Sequence, residues 1–553
     1  MSDLLGNRKA RDNAGMRAAP AGVPILLAVV VVTGSAPAAA LPPRLLGLGI
    51  SNGGHPFLGD TRQLATISPN GDGYRDRAIV RFRLDRAARV LLQAVATDEV
   101  RRPVKVIWQT RRKLAAGPHS ISWKPRKGIA SRTYLLRFTV TGLHGGRRVY
   151  GFERPRSSGP TSGLVVRILS VEVAFVKRSY VQGAQAAVSI STDSPSVRIR
   201  FFSYPSGGLA GTRDPNTNAV PVTPSVRLDW RTHRNAPHVL QVTRSGDWPG
   251  GLYFLRVTTS DNQVGYAPVI LRPKAIGEHR VAVILSTNTW QAYNFRDATG
   301  DGWGDSWYIG GAAPAVDLRR PYLDSGLPYR FREWNAGFLS WLRQTGKEVD
   351  WLSDDDLDGV ASGDDLRHAY DLVVFPGHEE YVTEHVYDVI SRFQDLGGNL
   401  ILLSANNFFW KVDRQGAYLR RIDQWRRLGR PEARLMGIQY VASNHGESER
   451  TYVVRGADQE PWVFAGAGLT NGSEFGRYGI EVDARTPSSP SSGVVVLAVA
   501  PHAIGDHDAE MALYRTKGGA TVFAAGALDF SGSIGLPAVA QLVDNVWARL
   551  SKP

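Results

Sequence analysis

The feature that most constrains the fold is a change of hydrophobic period near Ile276. Ahead of it, segments such as "AIVRFRLDR", "ARVLLQAVAT", "TYLLRFTVTG" and "SVEVAFVKRSYVQGAQAAVSISTD" alternate apolar and polar residues. Period two marks strands with one face buried, so this part predicts antiparallel sheets stacked in pairs. After it, "VAVIL", "DLVVF" and "NLILL" are continuously apolar. Helical stretches such as "FLSWLRQTG" and "VYDVISRFQDLGG" lie between them. Strands buried on both faces and joined by helices predict a mainly parallel sheet in an α/β domain.

With 553 residues the chain is too long for one core. The expected order is a secretory signal over 1–40, a linker over 41–64, an Ig-like β-sandwich over 65–160, a second β-sandwich over 164–275 and an α/β domain over 276–553. Arg8, Lys9, Arg11 and Arg17 precede the apolar run "VPILLAVVVVTG", and Ala38-Ala39-Ala40 offers a small-residue cleavage site. The run is short for a bilayer span of roughly 20 residues, so export with cleavage is expected over a retained anchor. The expected location is secreted or cell-envelope, with no membrane contact beyond this segment.

Cysteine is absent, which excludes disulfides, thiol nucleophiles and Cys-ligated zinc. The net charge of +15 is spread over scattered arginines, densest in 101–105, 111–113 and 420–430. No aromatic-interleaved basic motif accompanies them, so they read as a solvated surface and no nucleic-acid partner is expected.

In an α/β sheet, ligands sit beyond the carboxyl ends of the strands. Three such ends carry polar residues among aromatics: "TNTWQAYNF" (287–295), "PGHEEY" (376–381) and "ANNFFWKV" (405–412). Taken alone, "PGHEEY" also fits a turn into a helix, with Thr383 as cap and the acids beside the positive end of the helix dipole. No GxSxG elbow or HExxH pair is present.

Two resemblances follow from these motifs. "SPNGDG", "GPHSISWKP" and "RTYLLRFTVTG" resemble the Ig-like modules of bacterial flagellar hook-cap proteins, which implies a sandwich and no particular activity. "VILSTNTWQAYNF", "DLVVFPGHEEY", "GGNLILLSANNFFWKV" and "GGATVFAAGALDF" resemble, in order and spacing, the large subunit of N,N-dimethylformamidase over about 180–550. That resemblance implies a glutamine-amidotransferase-like α/β fold and a mononuclear non-haem iron held by two tyrosinates and a glutamate. Carried onto this chain, the ligands are Tyr253, Tyr293 and Glu380, with His378 as an acid/base group beside the metal. Asn406 and Glu510 occupy positions resembling other pocket residues of the family. A hard ion with three anionic oxygen donors is consistent chemistry for amide hydrolysis. The family enzyme works with a small subunit, which is not evident here, and a homo-oligomer is compatible with the sequence.

Three acidic loops have calcium-like spacing. Ser68, Asn70, Asp72 and Asp76 form one; Asp297, Thr299, Asp301 and Asp305 form a second; Asp354–Asp365 gives the third. Asp, Asn and Gly are also ordinary turn residues. Two functional readings therefore stand: an exported metal-dependent amidohydrolase acting on a small or peptide-like amide, and a non-catalytic envelope adhesion protein that retains the α/β scaffold.

Overall fold

The computed structural model describes residues 41–97, 104–151, 163–204, 213–214, 216–242, 248–308, 313–444, 446 and 448–552. The export segment and the first basic cluster through residue 103 lie outside them. Among the described residues no helix is long and apolar enough to cross a membrane. The chain is mostly β, arranged in several sheets.

The first module pairs two sheets. One holds Leu45–Ser51, Ala78–Leu84 and Gly117–Trp123; the other holds Leu64–Ile67, Leu164–Ile168, Thr133–Gly142, Ala88–Ala96 and Lys105–Leu114. Their inward residues, among them Val80, Phe82, Leu92, Trp123, Phe138 and Val166, form one core. Two boundaries differ from expectation. The Pro- and Gly-rich stretch 41–64, read as a linker, contributes an edge strand paired antiparallel with Ala78–Leu84. Leu164–Ile168, read as the start of the second sandwich, closes the first, parallel to Leu64–Ile67 and antiparallel to Thr133–Gly142. Alternation reveals a strand's buried face but not which sheet it joins.

The second module begins at Val171. Val171–Phe175, Ala186–Thr192 and His238–Val242 face a sheet containing Ser179–Val181, Val264–Arg272, Gly251–Thr259 and Ser196–Tyr204. Along Gly251–Thr259 the period-two rule assigns each side chain a core. Tyr253, Leu255 and Val257 enter the sandwich interior, whereas Leu252 and Phe254 pack on the C-terminal domain.

That last domain is built on a nine-stranded sheet. Its order is Asp350–Ser353, Val281–Leu285, Leu372–Phe375, Asn399–Leu402, Thr521–Ala524, His507–Arg515, Val494–Ile504, Glu449–Val454 and Glu474–Gly479. The first five strands run parallel. The remaining pairings are antiparallel, so the expected mainly parallel sheet is parallel in only one half. Successive strand residues go to opposite faces. Val281, Val283 and Leu285 meet helices Ala336–Gln344 and Pro537–Leu550; Ala282 and Ile284 meet helices Gly363–Ala369 and Glu384–Asp395. Burial on both faces is why these strands read as unbroken apolar runs.

Candidate functional site

The three polar strand ends converge. Beyond Val281–Leu285 the chain enters helix Thr287–Ala292, which delivers Tyr293. Beyond Leu372–Phe375 it turns through Pro376 and Gly377 to His378, Glu379 and Glu380. Gly377 is needed for a close approach: a Cβ there would lie 2.4 Å from Asn335 Nδ2 and 3.3 Å from Ser286 Oγ. Beyond Asn399–Leu402 the loop 403–409 supplies Asn406.

Main-chain bonds lock these segments together. Glu380 N donates to Thr289 Oγ1 (3.1 Å), Glu379 N to Asn407 Oδ1 (2.8 Å), Phe408 N to Glu379 O (2.6 Å) and Trp410 N to Glu380 O (2.9 Å). Consecutive side chains then part company. Glu380 faces Tyr293, whose hydroxyl donates to Glu380 Oε2 at 2.6 Å. Glu379 turns instead to Asp354 and Ser286.

Around Glu380 the surroundings are buried and rich in oxygen. Asn406 Nδ2 donates to Glu481 Oε2 (2.8 Å) and makes a longer contact to Glu380 Oε1 (3.4 Å). His378 Nε2 lies 3.5 Å from Glu481 Oε2 and 3.8 Å from Glu380 Oε2. Neither ring nitrogen of His378 makes a hydrogen bond of ordinary geometry. The Tyr293 ring meets the His378 ring edge-on at 5.5 Å and packs with Tyr308, Tyr329, Trp334 and Tyr381. This aromatic wall excludes water and strengthens every charge interaction inside it.

Burial dominates the electrostatics, because it disfavours each charged form. It raises Glu380 to about 7 and Glu481 to about 8, the latter with added repulsion from Glu380. Tyr293 and Tyr381 are pushed well above the ordinary phenol range by burial and then by Glu380. His378 falls to about 3, also through burial, and is neutral at pH 7.

The backbone is strained at the same place. Asn406 (φ 54°), Phe408 (φ 56°) and Ile480 (φ 65°) all adopt the left-handed region. A β-branched residue there is an outlier, and each such residue costs about 1–3 kcal/mol. Ile480 immediately precedes Glu481, and its neighbour Asp483 accepts Asn406 N at 2.8 Å.

The structure thus brings together Tyr293, His378, Glu380 and Asn406. It does not bring in Tyr253 or Glu510. Tyr253 sits on the interior face of its strand, stacks on Trp248 at 5.1 Å and donates to Pro249 O at 3.0 Å. Glu510 is held by Arg485 through both carboxylate oxygens, at 3.0 Å each, and also accepts the Arg485 amide. The acids that do reach the site, Glu481 and Asp483, lie in "YGIEVDAR". Only the acidic residues flanking Val482 in an otherwise bland strand could have signalled them.

The calcium-like loops are closed by their own hydrogen bonds. Asp297 accepts from the Gly300 and Gly302 amides and from Thr299 Oγ1, Asp301 from Trp303 N, and Asp305 from the Ala298 and Thr299 amides. In the first loop Ser68 donates to Asp193, Asn70 accepts Asp72 N, Asp76 accepts the Gly71 and Gly73 amides, and Asp72 pairs with Arg234 at 2.9 Å. Asp354–Asp365 is not a loop. Ser353 forms a capping box with Asp356 at the start of helix Asp354–Asp358, and Ser362 caps helix Gly363–Ala369.

Among the described residues no three His, Asp or Glu side chains are disposed to hold a metal by themselves. The phenol of Tyr293 adds an oxygen donor of another kind within hydrogen-bond reach of Glu380. Fold and pocket together define a class: a two-faced sheet with a buried carboxylate–tyrosine site at its strand ends. Residues 198–543 match the family described as "N,N-dimethylformamidase beta subunit-like, C-terminal", and the chain belongs to that family. The match does not reach the first sandwich, and the hook-cap resemblance finds no support in it.

No curated protein sequence matches the chain. Similar solved structures include the mmIFT52 N-terminal domain (13% identity, 38% of this chain and 87% of that one, TM-score 0.26). Others are a trypsin-activated alpha-2-macroglobulin from Escherichia coli (11%, 42% and 17%, 0.23) and the Yersinia pseudotuberculosis adhesin InvE (15%, 37% and 56%, 0.14). These likenesses are too distant to bear on fold or function.

Proposed function

We propose that the chain is a metal-dependent amidohydrolase related to N,N-dimethylformamidase, acting on a small or peptide-like amide, with its C-terminal domain of glutamine-amidotransferase-like type. The observation that carries this reading is the buried 2.6 Å bond from Tyr293 to Glu380, with Glu481 and neutral His378 at its side. Two carboxyls and two phenols share one water-poor space, and burial penalises each of their anions. A hard, highly charged ion matches that donor set. Tyr293 and Glu380 would hold a non-haem iron, with Tyr381, whose phenol also reaches Glu380, as a further donor. When bound, such an ion supplies Lewis acidity toward an amide carbonyl.

The chain's own groups account for the remaining chemistry. Asn406 holds Glu481 and steadies Glu380, and Thr289 fixes the main chain of Glu380. With both nitrogens open, neutral His378 takes the proton from the attacking water. Glu481, 3.5 Å away and raised to about 8, gives its proton to the departing amine nitrogen and is reprotonated from His378. The carbonyl carbon gains the water oxygen, the C–N bond breaks, and an acid and an amine leave.

The test is the metal content and visible spectrum of the full chain from iron-replete cells, with amide hydrolysis measured alongside. The expected result is about one iron per chain and a tyrosinate charge-transfer band that Tyr293→Phe weakens. Colourless, iron-free protein that hydrolyses none of a panel of small and peptide-like amides would overturn the proposal. Export is part of the same reading; a mature N-terminus near residue 41 in periplasmic or culture fractions would support it.

A further inference from the structure

A second set of buried oxygens gathers at the ends of the same parallel strands. Asp354 follows Asp350–Ser353, Ser286 and Thr287 follow Val281–Leu285, and Glu379 lies four residues past Leu372–Phe375. All four residues are buried. Asp354 Oδ2 accepts from Thr287 Oγ1 at 3.0 Å and from Asn288 N at 2.5 Å. Its carboxyl lies against that of Glu379, close enough for one hydrogen bond between them, and Ser286 Oγ lies beside Glu379.

What is missing is a donor. Neither Glu379 oxygen receives an N–H or O–H in ordinary geometry, and Ser286 Oγ is likewise unpaired. Asn288, in the same turn, donates its NH₂ to Tyr381 O at 3.2 Å and leaves its amide oxygen unpartnered. The guanidinium acting on Asp354 is that of Arg178, and its ion pair is with Asp355. Two adjacent carboxyls in a dry interior cannot both stay charged without a compensating positive charge.

We propose that Asp354 and Glu379 hold a hard cation between them, with Ser286 Oγ as a further donor. Every candidate donor is oxygen, and two are carboxylates, which selects an alkali or alkaline-earth ion over zinc or copper. A cation between the two carboxyls would give the unpartnered Glu379 oxygens and Ser286 Oγ the electrostatic partner they lack. The ion would pin three strand ends and hold Glu379 turned away from the Glu380 side. This site is separate from the one proposed at Tyr293 and Glu380 and stands or falls without it.

The probes are Rb⁺ and Mn²⁺, soaked separately into crystals of the full chain, with anomalous difference maps read for position. In parallel, Tm is followed in tetramethylammonium buffer as Na⁺, K⁺, Mg²⁺ or Ca²⁺ is added. A peak between Asp354 and Glu379 with one probe is expected, with a saturable rise in Tm for the matching ion. Glu379→Gln should lose both; if it does not fold, Asp354→Asn serves as the second variant. The wild-type maps need no variant at all. No peak with either probe, or a Tm response identical in wild type and Glu379→Gln, would overturn the proposal and leave the pair sharing a proton.

Discussion

At the residue scale, function turns on how neighbouring side chains are divided. Glu379 and Glu380 are adjacent in sequence yet serve separate oxygen clusters: Glu380 meets Tyr293 and Glu379 faces Asp354. On the proposed reading, Glu380→Gln should therefore remove iron and activity, whereas Glu481→Gln should keep the iron. The second variant should lose about 10²–10⁴-fold in kcat, as expected for a lost proton-transfer group; iron analysis beside steady-state kinetics separates the two. Asn406→Ala frees both carboxylates from their shared amide. It should weaken metal binding by about 10–100-fold, read by competition with a chelator.

At the element scale, each strand end is held by its own local device. Helix Glu384–Asp395 starts immediately after "PGHEEYV", and Thr383 Oγ1 accepts Val386 N at 3.2 Å while also bonding Asp358. Thr383→Ala should cost about 1 kcal/mol in urea unfolding. The notion that acids before this helix only favour its dipole applies to Glu384, which is exposed and paired with Lys411, and not to Glu379 or Glu380. The arginines of 420–430 are likewise engaged locally: Arg421 covers the Trp410 ring, Arg426 binds Glu432 and Arg430 pairs with Asp388.

At the scale of the whole molecule, buried acids set the pH behaviour. Glu380, Glu481 and Asp483 have folded pKa values of about 7, 8 and 8, above those of the unfolded chain. The native state then holds protons that the unfolded state has released. Their contribution to stability is full below about pH 4 and is lost as pH rises toward 8. His378 acts oppositely: its folded value of about 3 lies below the unfolded 6.5, so its stabilising contribution is present above pH 6.5 and lost as pH falls toward 3. Above pH 6.5 only the acids act, and Tm of metal-free protein should fall between pH 6.5 and 8. On the proposed reading, loading with iron should flatten that slope, which thermal scans across the range would show. The first sandwich docks on the rest through Trp303, buried among Leu64, Val95, Leu135 and Val165. Trp303→Ala should cost about 3–5 kcal/mol, measured by denaturant titration.

Much of this was legible in the chain itself. Period two announced the sandwiches, and unbroken apolar runs announced strands covered on both faces, because burial leaves a direct imprint on hydrophobic spacing. "TWQAYN", "PGHEEY" and "SANN" at strand ends were enough to gather Tyr293, His378, Glu380 and Asn406. Pairing between distant segments left no such imprint. Leu45–Ser51 and Leu164–Ile168 joined the first sandwich, the nine-stranded sheet turned antiparallel in its second half, and Tyr253 faced away from the pocket. Glu481 and Asp483 arrived about a hundred residues downstream of "PGHEEY" in a strand that looked ordinary. One-dimensional spacing determines which face of an element is buried; which buried faces meet, and so which carboxylates share a pocket, was decided by the tertiary structure alone.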